Sequence, residues 1–368
     1  MQSLRLYDEL TAARTRFLRV DELCRLAVEK GALPSAEPDA RRPLKEKKGL
    51  ERAQGQFLAE ILGNPVAGTH LCHAMLLPHP ESRAQLSRYE RSGEVTFDGV
   101  HLRRHGKASV LTMRNPKYLN AEDESTLPGM EVAVDLALLD PNTEVLVLRG
   151  DAVTHAKYAG RRLFGAGINL TQLYEGNIRY LWYLIRDLGF VNKLYRGLAS
   201  PEASPEISST EKLCIAAVEG FAIGGHCQIL LTMDYTIAAD DAYLTLPARK
   251  EGIVPGAANL RLPRFVGDRI ARQAILAERR IDCASDAGLL ICDEIVPPGQ
   301  MDRKLDEVIE RLTGSGVVSA AANRRAFRAG EEPLDTFRRY MAIYAREQVE
   351  CHLSPALIAN LEKNWKKR

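Results

Sequence analysis

The chain of 368 residues has no apolar run that approaches a membrane span, and no internal repeat is evident. It lacks HExxH, GxGxxG and the GxxxxGK-Ser/Thr loop, the commonest signatures of zinc hydrolysis, dinucleotide binding and nucleotide phosphate binding. Charge of one sign is also missing. A formal net charge of +2 provides no general field for nucleic acid or an acidic membrane. The seven cysteines, an odd number without a C-x-x-C pair, fit a reducing interior rather than a disulfide framework. The opening Met1-Gln2-Ser3-Leu4-Arg5 is charged and amphipathic, not the apolar core of a signal sequence. These absences predict a cytoplasmic protein with neither a membrane nor a nucleic-acid partner.

An apolar fraction of 45% is ordinary for a globular protein, and the length allows one large domain with an appended unit. Basic pairs and runs (Arg41-Arg42, 45–48, Arg161-Arg162, Arg324-Arg325 and 366–368) read as solvated surface or as contacts for a multiply charged ligand. Residues 1–93 form a mainly helical N-terminal region. Apolar positions recur at helical spacing within 3–30, 50–62 and 81–91, and a Pro-containing extended connection covers 31–49. Residues 94–300 carry a β-then-α rhythm, with strands at 95–97 and 108–113 joined by a turn around 104–106. A helix at 130–139 precedes a strand at 145–148. Further strands fall at 213–218, 236–239 and 243–246, with a helix at 227–232. This pattern implies an α/β fold with a buried sheet. Residues 301–368 are a helical C-terminal region that completes the active site or a subunit contact.

Two segments bear on chemistry: Gly165-Ala166-Gly167-Ile168-Asn169 and Gly224-Gly225-His226-Cys227-Gln228. Each follows an apolar run that reads as a strand and precedes helical spacing. Backbone N–H groups are left free at such turns. Either segment alone reads as a packing-glycine turn. Facing each other, they would aim the Ile168 and Gly225 amides at one oxygen and stabilise charge developing there.

The flanks carry a resemblance. Asn115-Pro116-Lys117-Tyr118-Leu119-Asn120-Ala121, Phe164 to Leu170, Ala217 to Gln228, and Pro247 through Pro255-Gly256-Ala257 resemble, in order, four motifs of the crotonase superfamily of enoyl-CoA hydratases and isomerases. The resemblance implies a crotonase-like ββα superhelix, here with an N-terminal helical extension, and an oxyanion hole for a CoA thioester. It also implies a homotrimer or hexamer. Hydratases of this superfamily place glutamates at the positions of Gln228 and Ala248. An amide and a methyl cannot exchange protons near pH 7, so hydration is disfavoured. The length and residues 158–196 further resemble a branch of arylacetyl-CoA dioxygenases in glycopeptide antibiotic biosynthesis, which use O2 without metal or organic cofactor. In that branch a Glu, an Arg and a Gln hold two ring hydroxyls, and the matching residues are Glu122, Arg186 and Gln228. Substituting Arg186 or Gln228 is then expected to weaken ring selection while leaving the fold stable.

Other readings stay beside these. Glu122 reads also as a first-turn helix carboxylate, Arg186 as a subunit-contact cation and Gln228 as a capping amide. His155 is placed near the thioester end of the substrate, or is a loop histidine. His226 reads as a packing residue. His70, Cys72, His73 and His79 lie close in sequence, yet their spacing fits no structural zinc pattern, and no metal is expected. A crotonase-type hydrolase or isomerase of another CoA thioester, acting without O2, is the alternative activity.

Overall fold

The computed structural model describes residues 2–40, 42–297 and 299–364. Arg41 and the basic residues 366–368 singled out above lie outside the described residues. Strands β1 (Glu94–Phe97), β2 (Val100–His105), β3 (Ala108–Met113), β4 (Val145–Gly150), β5 (Leu213–Val218), β6 (Phe221–Ile223), β7 (Tyr235–Ala239), β8 (Tyr243–Thr245), β9 (Ile281–Asp282) and β10 (Glu294–Val296) form two sheets. The larger has the order β1-β2-β3-β4-β5-β7-β10, and the smaller β6-β8-β9. From β3 onward the larger sheet is parallel, with Leu111 opposite Leu148 and Leu148 opposite Ala216. All six residues of β4 are buried, as expected where helices cover both faces of a parallel sheet.

Helix Leu127–Leu139 (LPGMEVAVDLALL) is buried nearly all round. Its two buried acids need partners. Glu131 and Asp135 receive the Lys193 ammonium at 2.7 and 2.8 Å, and Arg19 adds a 2.6 Å contact to Glu131. Lys193 belongs to Phe190–Arg196, and Arg19 immediately precedes helix Val20–Glu29. The N-terminal helices are thus tied by charge to the sheet's own covering layer.

The main apolar core runs from Tyr7 to Leu361, with a small separate cluster at Val153, Leu163 and Phe221. The helical N-terminal region therefore has no separate core. Its helix Arg52–Gly63 packs on Leu334–His352 near the other end of the chain, and a Cβ on Gly55 would lie 2.5 Å from Val349.

The structure departs from the sequence reading at four places. Residues 104–105 end a strand, β2, which the sequence did not suggest because His101, Arg103 and Arg104 interrupt its apolar positions. Val100 and Leu102 point inward while His101 bonds Glu94 and Arg104 reaches over Tyr89 to Asp140. Helix Pro65–Leu76 was also unforeseen: its apolar residues lie on every side, so no face stands out, though Asn64 caps it. The 31–49 connection contains the short helix Glu37–Ala40 and a 3-10 turn at Leu44–Glu46. Finally, the turn at Gly165 follows isolated bridges, Ala152 with Arg162 and Gly165 with Ala222, rather than a strand.

Candidate active site

The two glycine turns do meet. Gly165 N–H donates to Phe221 O at 3.1 Å, and Ile223 N–H donates to Gly165 O at 3.0 Å. Gly167, at φ +78°, comes so close that a Cβ there would lie 2.7 Å from Ile223 O and 2.9 Å from Gly225 N. Only glycine fits both that conformation and that approach. Glu122 N–H donates to Gly167 O at 2.7 Å, and Asn169 N–H to Glu122 O at 2.7 Å. Among the described residues no acceptor meets the Ile168 or Gly225 N–H, and both residues line one cavity.

His226 does more than pack. Its Nδ1 accepts the Gly167 N–H at 3.0 Å, pinning the peptide next to Ile168. The ring is fully buried, edge-on to Phe164. Burial pushes the imidazole down to about 4, opposed by Glu122 and reinforced by Arg186, so it is neutral and free to accept at Nδ1.

Beyond Gly225 lies a buried polar cluster. Arg186, from helix Tyr180–Leu188, donates Nε and Nη2 to the two Glu122 oxygens at 2.9 Å each. Its Nη1 reaches Asp187 Oδ1 at 2.7 Å and Gln228 Oε1 at 2.9 Å, and Nη2 also reaches Gly225 O at 2.8 Å. All five guanidinium N–H groups are therefore committed. Burial works against its charge, but Glu122 and Asp187 outweigh that and hold it protonated. A Cβ on Gly225 would sit 2.5 Å from Glu122 Oε2, so this cluster abuts the peptide that offers the second N–H.

Of the six sequence-predicted site residues, Ile168, Gly225, Arg186 and Gln228 line the cavity, and Glu122 stands behind Arg186. His155 is not brought to it. It is exposed on its loop, where Nδ1 accepts the Lys157 N–H at 3.4 Å. The histidines near Cys72 are engaged separately: His70 with Tyr7 at 2.6 Å, His73 with Ser200 O at 2.7 Å, and His79 as a helix cap. Among the described residues no group of three or more His, Cys, Asp or Glu is arranged to hold a metal.

Sequence reasoning missed three cavity residues. Asp187 follows Arg186 directly, and that adjacency was its only signal. Tyr344 comes from Leu334–His352, far along the chain and in no motif. Tyr340, one turn earlier on that helix, bonds Gly256 O with its hydroxyl and so ties the helix to the cavity's edge. Glu251 ends the short helix Ala248–Glu251.

Two backbone amides without acceptors among the described residues, facing one recess and built on this sheet pair, define a class. The enoyl-CoA hydratase/isomerase family matches residues 104–352, and the chain belongs to that family. It is similar to the (3,5-dihydroxyphenyl)acetyl-CoA 1,2-dioxygenase of Amycolatopsis orientalis, with 45% identity over 93% of this chain and 80% of that protein. A short-chain-enoyl-CoA hydratase of Clostridium acetobutylicum is 28% identical over 64% of this chain and 83% of its own length. Among solved structures, an enoyl-CoA hydratase from Mycobacterium avium subsp. paratuberculosis shares the fold, with a TM-score of 0.60 and 21% identity over 74% of this chain and 98% of that one. Among the described residues no helix is long and apolar enough to cross a membrane.

Proposed function

We propose that this chain is a dioxygenase that converts (3,5-dihydroxyphenyl)acetyl-CoA and O2 to 3,5-dihydroxyphenylglyoxylate and CoA, without metal or organic cofactor. The observation that carries this reading is the Arg186-centred cluster directly behind the oxyanion peptides, where hydratases need a water held by two glutamates. Gln228 and Ala248 line that space instead.

The thioester oxygen sits between the Ile168 and Gly225 N–H groups. Loss of an α-proton puts charge on that oxygen, and each aimed donor is worth roughly 3–4 kcal/mol at that moment. The aryl ring lies toward Gln228, which takes a ring hydroxyl. Because every Arg186 N–H is already used, Arg186 acts by holding Gln228 in place, with Glu122 behind it fixing the guanidinium, rather than by bonding a hydroxyl itself.

The enolate passes one electron to O2, and the radical pair joins to give a peroxide at the α-carbon. Attack of the distal peroxide oxygen on the thioester carbonyl breaks the C–S bond and expels CoA. Cleavage of the O–O bond with loss of the second α-hydrogen then leaves the α-keto acid. Both oxygen atoms of O2 enter the product, and the two α-hydrogens are balanced by the thiol and carboxylic acid protons.

A homotrimer or hexamer, a cytoplasmic setting and supply of an arylglycine precursor for a glycopeptide antibiotic go with this reading. The test is O2 uptake by chelator-treated protein given the dihydroxyphenylacetyl thioester, with free thiol followed in parallel. Equal O2 uptake and thiol release are expected. Thiol release without O2 uptake would make the chain a thioester hydrolase and overturn the reading.

A further inference from the structure

Glu251 differs from the other acids around the cavity. Asp187 is held by Arg186 at 2.7 Å, and Glu122 by two bonds to the same guanidinium. Glu251 lines the cavity at 5% exposure, and among the described residues no hydrogen bond or salt bridge reaches its carboxylate. A buried, unpartnered carboxylate is costly to the fold. Nothing in the packing calls for one here.

Its position is specific. A Cβ placed on Gly224 would lie 3.9 Å from Glu251 Oε2 on one side and 3.8 Å from Gly167 Cα on the other. The carboxylate therefore stands at the seam of the two turns that present the Ile168 and Gly225 amides. Ala248, one helical turn before it, lines the same cavity with only a methyl, which leaves the way from Glu251 to the space clear at that position.

We propose that Glu251 is the catalytic base that removes the α-proton of a thioester whose carbonyl oxygen is held by the Ile168 and Gly225 amides. This rests on the dioxygenase reading for its substrate. In the step, the Cα–H bond breaks and its electron pair becomes the Cα=C bond of the enolate. The carbonyl π electrons move onto the thioester oxygen, and the proton goes to a Glu251 carboxylate oxygen.

The setting tunes such a base. Burial pushes the Glu251 carboxyl up to about 7, with the Lys250 ammonium opposing. The groups facing it are Lys250 on its own helix and Tyr183, whose phenol is pushed up by burial and then by the Glu251 charge. From the helix Pro355–Asn364, Leu357 and Asn360 meet Gly252, and on Ala258–Leu276 the Arg261 guanidinium is committed to Glu332. Asp187, Arg186 and Tyr344 complete the cavity's titratable groups across from it. A base with this affinity for protons is half ionised near neutral pH, where general-base transfer is most effective.

The test is exchange of the α-hydrogens of (3,5-dihydroxyphenyl)acetyl-CoA in D2O without O2, followed by NMR, beside aerobic O2 uptake. Wild-type protein is expected to exchange, with a pH profile that bends near 7. Glu251→Gln should lower exchange at least about 100-fold, in line with a lost general base. It should remove the bend, keep thioester affinity, and unfold no earlier than wild type. Glu251→Asp should keep part of the exchange. Exchange that persists in a folded Glu251→Gln protein, or a bend that survives there, overturns the assignment. If the wild type exchanges but takes up no O2, the dioxygenase reading fails while the role of Glu251 stands. If the wild type neither exchanges nor takes up O2, both fail.

Discussion

Arg186→Met is the most informative single change. In the folded chain this guanidinium neutralises Glu122 and Asp187, caps Gln228 Oε1 and bonds Gly225 O, all behind side-chain exposures of 7% or less at the ion pairs. Removing one partner of a buried ion pair costs about 3–5 kcal/mol, because the other charge is left without compensation. Unfolding entropy is about 2.1 cal/mol/K per residue, so 368 residues give about 0.8 kcal/mol/K and a drop in Tm of about 4–6 °C. The variant is still expected to fold, as read from the sequence, but with that lower Tm. Gln228→Leu is the control. It removes an acceptor but no charge, so Tm should fall less, while the preference for the dihydroxy ring over phenylacetyl-CoA should drop by about 1–3 kcal/mol. The assays are calorimetry and kcat/KM on the two thioesters. If Arg186→Met unfolded at the wild-type temperature yet lost ring selection, Arg186 would not be a clamp and would have to act on the substrate directly.

Gly167→Ala should lower kcat by about 10²–10³, since the methyl would push apart the two peptides that carry the Ile168 and Gly225 N–H groups, with KM little changed. Wild-type kcat in the folded variant would refute the oxyanion assignment. Acid stability offers a separate check at Glu51. Burial alone would raise its carboxyl, but His352, Lys47 and the Tyr180 N–H bring it down to about 2 from an ordinary 4.5. Its contribution is thus full above about 4.5 and fades as pH falls toward 2, so Glu51→Gln should flatten the unfolding curve across that interval. An acid limb of unchanged steepness would place the acid sensitivity elsewhere.

The two glycine turns were legible because backbone geometry constrains residue type: Gly167 at positive φ and Gly225 against Glu122 leave no room for another side chain. The parallel strands were legible from unbroken apolar runs such as Val145-Leu146-Val147-Leu148. The convergence of Glu122, Arg186 and Gln228 was not. They lie 64 and 42 residues apart along the chain, and only the family resemblance brought them together before the fold did. Glu251 and Tyr344 carried no local signal, since an isolated Glu after Arg249-Lys250 reads as solvated surface, and a Tyr on a C-terminal helix reads as packing. Helix Pro65–Leu76 escaped for the opposite reason, being apolar all round.

Tyr344 walls the cavity, and Tyr340 anchors that wall, from a helix that begins only at Leu334. A growing chain on the ribosome thus displays both glycine turns, Glu251 and the arginine clamp well before their wall emerges from the exit tunnel. Domains tend to fold as they are made, at about 5–20 residues per second. During that interval the core, which runs on to Leu361, is incomplete and these residues lack the helix that walls their cavity. Placing the wall so late means that the cavity cannot be enclosed until the helix that carries Tyr340 and Tyr344 has been made.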